Sequence, residues 1–222
     1  MTQPSKPVRR VCDRCLRPQR TCICHLATRI DHAVEVMILQ HPLEVSNAKG
    51  SARLLHLSLQ RSRLIVGETF AEEQLRELLF QPSPDARSLR QPVLLYPGTA
   101  EDEPMDADAT MRTLTDALRI DPCILAPEAL RLIVIDGTWR KSRKMLFLNP
   151  LLRELPRLAL RDTPLSQYRI HGIRRAHAPN QLSTLEATAF ALMRLEQQPE
   201  KFQPLLTAFN GFVAQLSSYA KG

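Results

Sequence analysis

VIDGTWRKSRKM, residues Val134 to Met145, decides how the rest of the chain is read. The apolar run that leads into it, Leu132 to Ile135, is short and β-branched, the mark of a buried strand, and Gly137 ends it. Trp139, the chain's one tryptophan, follows at once, beside Asp136 and ahead of Arg140, Lys141, Arg143 and Lys144. Whatever follows the glycine sits at the strand's carboxyl end. In open α/β sheets that edge is where ligands bind.

Outward from this strand, apolar segments alternate with helical patterns. AVEVMILQH (Ala33 to His41), RLIVGE (Arg63 to Glu68), PVLLYPG (Pro92 to Gly98), RLIVID (Arg131 to Asp136) and PRLAL (Pro156 to Leu160) read as strands. Helices are expected from about Asn47 to Gln60 and over Ala71 to Phe80, and the pattern is helical from Asn180 to the end. TAEDEPMDAD, residues 99–108, reads as an acidic loop punctuated by proline. Such alternation predicts an α/β fold, a mainly parallel sheet covered by helices. The 222 residues suit one domain of ordinary size plus an appendage. There is no G-x-G-x-x-G and no P-loop, which removes the usual grips on dinucleotides and nucleoside triphosphates.

The net charge of +7 is unevenly spread. Residues 1–20 carry six cations against Asp13, and residues 140–175 carry ten against Glu154 and Asp162. Between Glu68 and Glu128 the balance reverses, with thirteen carboxylates and five arginines. Segregated cations are the footprint of a surface that docks a phosphate backbone, so a nucleic acid is the expected partner. No apolar run approaches the length of a membrane span, and the N-terminus lacks a secretory hydrophobic stretch, which makes the cytoplasm the expected compartment.

Four of the five cysteines, Cys12, Cys15, Cys22 and Cys24, lie in the spacing C-x2-C-x6-C-x-C. In a cytosolic chain this points to one tetrahedral metal ion held by four thiolates, a closed and therefore structural site. Zinc is the expected ion, with an iron-sulfur cluster as the alternative. Arg9, Arg10, Arg14, Arg17 and Arg20 are interleaved with the ligands. The knuckle is either an RNA-contacting module or a clip that pins the N-terminus to the body. Cys123 stands alone and reads as packing.

Asp136, Gly137, Thr138 and Trp139 resemble the D-x-T-W motif that names the DTW-domain proteins, the tRNA-uridine aminocarboxypropyltransferases. HPLEVSNAKGSARLL (His41 to Leu55) resembles the family's H-P-x-E block, LLYPG (Leu94 to Gly98) its Y-P-G loop, and LSTLEA (Leu182 to Ala187) its S-T-x-E-A helix start. Ala48, Lys49 and Gly50 depart from the Asn-Thr pair that relatives often carry. The resemblance implies transfer of the 3-amino-3-carboxypropyl group from S-adenosylmethionine to N3 of a tRNA uridine, leaving methylthioadenosine. It also implies a SPOUT-like domain over residues 31–222 with a C-terminal trefoil knot, behind a cysteine module over residues 1–30. A SPOUT-type RNA methyltransferase and a non-catalytic zinc-ribbon nucleic-acid binder are the competing readings. Monomer and homodimer both stay open.

Within that frame Asp136 is the expected base for the N3 proton, and Trp139 the face that stacks on base or cofactor. Asp136 has an alternative role as a helix cap. Arg140, Lys141, Arg143 and Lys144, with Arg174, Arg175 and His177, are the expected phosphate contacts. Leu94, Leu95, Tyr96, Pro97, Gly98, Thr138, Ser183, Thr184 and Glu186 are the expected cofactor contacts, although Ser183 and Glu186 are also spaced as a capping box. His41 and Glu44 lie close enough in this scheme to contribute.

Overall fold

A computed structural model of the chain describes residues 10–82, 89–97, 125–160, 163–173 and 182–220. Five strands, β1 (Glu35–Gln40), β2 (Ser62–Val66), β3 (Gln91–Leu95), β4 (Leu130–Asp136) and β5 (Arg157–Leu158), form one sheet. Their order is β2-β1-β4-β3-β5, and every pairing is parallel. The helices are α1 (Ala52–Ser58), α2 (Glu72–Phe80), α3 (Trp139–Leu148), α4 (Pro150–Arg153), α5 (Gln167–Ile170), α6 (Thr184–Glu196) and α7 (Pro199–Ala220). The parallel α/β sheet predicted from the alternation is therefore the observed one.

Both faces of the sheet are covered, which is why β1 is buried at all six positions instead of alternating. Val36, Ile38, Leu132 and Val134 face a core completed by Leu55 of α1, Leu192 of α6 and Phe209 of α7. Met37, Leu39 and Ile133 point the other way, onto Leu75 and Leu79 of α2 and Met145 of α3. At the amino end of β4, Arg131 is fully buried beside Glu35, its partner in register. Its guanidinium also donates to the carbonyls of Leu78, Leu79 and Gln81, which closes the C-terminus of α2.

The chain leaves β1 for β2 on one side and leaves β4 for β5 on the other. The connections from these two neighbouring strands therefore run in opposite directions, and their carboxyl ends form the switch point at which such sheets take ligands. One expected helix is shortened: α1 begins at Ala52, not near Asn47. The preceding residues form a tight turn in which the Gly50 amide donates to the Asn47 carbonyl. A Cβ at Gly50 would stand 3.1 Å from that same oxygen. The acidic loop, Cys123, Gly98, Arg174, Arg175 and His177 lie outside the described residues, as does part of the path that would form a knot. No helix among the described residues is long and apolar enough to cross a membrane.

Candidate active site and cysteine cluster

Asp136 is the last residue of β4 and lies opposite Gln40, the last residue of β1. The register puts an acid and an amide side by side at the switch point. Gln40 Nε2 donates to Asp136 Oδ2 at 2.9 Å, and the Thr184 hydroxyl donates to Oδ1 at 2.7 Å. With 5% of its surface exposed, the carboxylate is held on both oxygens by residues from two other segments. The backbone follows suit, since the His41 amide donates to the Asp136 carbonyl at 2.9 Å. Gly137 permits this approach: a Cβ there would stand 3.2 Å from Lys141 Cβ and 3.8 Å from His41 Cβ.

The N-cap of α3 is Thr138, whose side chain accepts from the Lys141 amide. Trp139 is 38% exposed and meets Tyr96 edge to face, with ring centroids 5.7 Å apart. The Y-P-G segment and the D-x-T-W turn thus share one aromatic wall. Arg157 of β5 adds a cation 5.9 Å from the Tyr96 ring centroid. Leu94, by contrast, is fully buried, and its amide donates to the Pro156 carbonyl. Leu95 stands in register with Leu158.

The four cations of the opening motif divide into two kinds. Lys141 Nζ lies 2.7 Å from Oε1 of the buried Glu44, and Lys144 Nζ lies 3.0 Å from Glu68 Oε1. Glu68 also meets His41 Nε2 at 2.9 Å, and Lys144 followed by His41 holds its carboxyl below the usual range. The His41 ring accepts from the Leu43 amide through Nδ1, which leaves Nε2 as the donor to Glu68. Arg140 and Arg143 are exposed, with no ion-pair partner among the described residues. Phe147, absent from the expected set, is 71% exposed and follows Arg143 by one helical turn on the side of Trp139. Helical spacing was the signal available for it. For Gln40 the only signal was a lone amide closing an apolar strand.

Ser183 and Glu186 form the capping box of α6. Glu186 in addition accepts from the Ser166 hydroxyl at 2.7 Å and the Gln167 amide at 2.8 Å. This carboxylate ties α5 to α6. Thr184, one residue into the helix, is the member of the set that reaches Asp136.

The sulfur atoms of Cys12, Cys15, Cys22 and Cys24 all lie within 4.8 Å of one another. Two of the separations, Cys12 to Cys24 and Cys15 to Cys22, are 3.7 Å. A tetrahedral ion with metal–sulfur bonds of about 2.3 Å needs edges of about 3.8 Å, so the donor set fits. Backbone amides of Cys15 and Arg14 hold the Cys12 thiol down at about 6, while burial pushes Cys24 up to about 12. Cys15 is buried and Ile23 wholly so, in the same core as α6 and α7. The knuckle packs against the body at both ends of its loop.

A parallel sheet covered by helices on both faces, with a pinned acid, an aromatic wall and a basic helix at its switch point, defines an α/β protein of the doubly wound kind. The chain belongs to the DTW domain family, whose domain matches residues 9–217. It is 34% identical over 190 residues to tRNA-uridine aminocarboxypropyltransferase 2 of Mus musculus, covering 84% of this chain and 56% of that protein. The protein of the same name from Drosophila melanogaster is 28% identical over 206 residues, covering 89% of this chain and 71% of the relative. An Arabidopsis thaliana protein, tRNA-uridine aminocarboxypropyltransferase A, is 31% identical over 139 residues, or 62% of this chain and 50% of its own length. The chain thus spans little more than half the length of several curated relatives it matches. No solved structure matches it.

Proposed function

We propose that the chain modifies tRNA, transferring the 3-amino-3-carboxypropyl group of S-adenosylmethionine to N3 of a uridine. The observation that carries this reading is the carboxylate of Asp136, buried at the switch point and held by Gln40 and Thr184, in a chain of the DTW family. S-Adenosylmethionine supplies the three-carbon group: its γ-carbon bonds to N3 as the carbon–sulfur bond breaks and the electron pair leaves on sulfur as methylthioadenosine. Asp136 takes the N3 proton, since uridine is protonated there at neutral pH and is a poor nucleophile until it is lost. Gln40 and Thr184 fix the direction in which the carboxylate faces.

Support for a ligand at this switch point comes from Gln40 itself. Its Nε2 is committed to Asp136, and its Oε1 is buried without a hydrogen-bond donor among the described residues. A buried acceptor left without a donor is costly. An ammonium or hydroxyl group of a bound ligand would satisfy it, which suits the amino acid end of the co-substrate. Tyr96 and Trp139 offer faces for a flipped base or the adenine. The segment Leu94 to Gly98, with Thr138, Ser183, Thr184 and Glu186, lines or supports the co-substrate in this reading. Arg140 and Arg143 meet tRNA phosphates, joined by Lys141, Lys144, Arg174 and Arg175. Residues 1–30 form a metal-binding module, zinc by its sulfur donors, and residues 31–222 the catalytic body.

The test is to incubate the protein with tRNA and S-adenosylmethionine and to weigh both the nucleoside and the by-product. Methylthioadenosine with a uridine carrying the aminocarboxypropyl group is the expected pair. S-Adenosylhomocysteine with a methylated base would overturn the reaction in favour of methyl transfer. No product from either would leave a binding protein.

A further inference from the structure

We infer that Arg17, set by the cysteine knuckle, is a positioning residue that holds the loop over residues 47–51 in place for the candidate site. The inference rests on the proposed function for what the loop serves, and on geometry alone for the coupling.

Arg17 leaves the knuckle immediately after the Cys12 to Cys15 turn. That turn is closed by the Leu16 amide donating to the Cys12 carbonyl and the Cys12 amide donating to the Arg17 carbonyl. Leu16 holds a left-handed backbone, φ +58°, which an L side chain adopts only at a cost the surroundings must meet. A metal held by Cys12 and Cys15 would supply that constraint and so set the direction in which Arg17 departs. The guanidinium then reaches across 31 and 33 residues of sequence to donate to the carbonyls of Ala48, at 2.8 Å, and Gly50, at 2.9 Å. It lies over the Phe212 ring, 4.9 Å from the centroid, and burial lowers its pKa. A half-buried guanidinium that spans two carbonyls of one turn acts as a clip.

Between those two carbonyls, the one belonging to Lys49 accepts from the Tyr168 hydroxyl at 2.6 Å. Three successive carbonyls are thus held by side chains from outside the loop. Its next residue, Ser51, is buried and accepts from the Leu185 amide at 3.2 Å. Leu185 adjoins Thr184, and Thr184 donates to Asp136. A continuous line therefore runs from the cysteines through Arg17, the loop and the start of α6 to the candidate base. Arginine's planar fork offers a separate nitrogen to each carbonyl in a fixed geometry, whereas a lysine donates from one freely rotating ammonium on a shorter reach.

Arg17→Met keeps an aliphatic stem over Phe212 and removes both donors; Arg17→Lys keeps the charge but has a single donating nitrogen. Metal content is measured by chelator release, amide exchange by mass spectrometry, and S-adenosylmethionine affinity by calorimetry. In Arg17→Met we expect unchanged metal content, with exchange at residues 47–51 and at Leu185 roughly tenfold faster or more. Exchange in β2 should stay as in the wild type. Arg17→Lys should restore part of the protection. Removing the metal from the wild-type chain should loosen the same two segments. Unchanged exchange at 47–51 and Leu185 in Arg17→Met would overturn the inference. So would a metal-free protein in which β2 and β4 loosen as much as the loop, which would make the metal a general folding element. Wild-type protein that binds no S-adenosylmethionine would sink the proposed function, while the exchange data would still decide whether the strut exists.

Discussion

Asp136→Asn separates chemistry from architecture at the site. The substitution keeps the shape and replaces two hydrogen bonds to a charge, from Gln40 and Thr184, by two neutral ones. The new amide must donate to one of its neighbours, and both can turn to receive it. The Thr184 hydroxyl can rotate, and the Gln40 amide can flip to bring round the Oε1 that now lacks a donor. A bond to a charged group exceeds a neutral one by about 1 kcal/mol, and relief of the buried charge offsets part of that, so the net loss is about 1–2 kcal/mol. For a chain of this size each kcal/mol lowers Tm by about 2–4 °C. Loss of a general base costs about 10²–10⁴ in rate. Thermal unfolding by circular dichroism and single-turnover formation of the modified nucleoside measure the two effects side by side. A variant that retains activity within about tenfold of wild type refutes Asp136 as the base. A collapse of Tm by more than about 15 °C refutes the view that the carboxylate is dispensable to the fold.

The division among the cations predicts two outcomes. Arg143→Glu or Arg140→Glu should lower the salt dependence of tRNA binding by about one unit of slope per lost phosphate contact, read from affinities over a salt series. Lys141→Glu should instead lower Tm, because it sets a second carboxylate against the buried Glu44. At the cysteine cluster, the Cys24 thiol at about 12 must lose its proton to the metal, and below about 6 Cys12 takes one as well. Metal affinity should therefore rise with pH through neutrality and fall faster in acid, as competition with a chromophoric chelator will show; a flat profile would exclude thiolate ligation. At the far end of the sheet, Arg131→Met should cost about 3–5 kcal/mol in denaturant unfolding, since it leaves Glu35 with only the 3.6 Å pair to Arg90 among the described residues and removes the donor to three carbonyls at the end of α2.

The sheet was legible because its strands are short apolar runs punctuated by Gly, Pro and charge, a pattern local enough to read along the chain. Strand boundaries moved by a residue or two, as at β4, which begins at Leu130 instead of Arg131. The helix expected from Asn47 starts late, at Ala52, for reasons that its apolar spacing does not carry. The first residues of that segment give their carbonyls to Arg17 and Tyr168, side chains that arrive from 31 to 119 residues away. Apolar spacing reports which face of a helix is buried, and says nothing of an outside donor that claims the backbone first.

The same distinction governs the candidate site. D-x-T-W identified a strand end, yet what Asp136 can do depends on strand order. The pairing of β1 with β4 brings Gln40 opposite Asp136 and sets the switch point there. Charge counting met the same limit. Four cations in five residues read as one basic patch, but Glu44 and Glu68, 97 and 76 residues away in sequence, each claim a lysine. Arg140 and Arg143, on the exposed face of the helix, have no ion-pair partner among the described residues. The number of cations on a helix is therefore a poorer guide to a docking surface than which of them are unpaired, and among the described residues of α3 those are Arg140 and Arg143, flanked by Trp139 and Phe147.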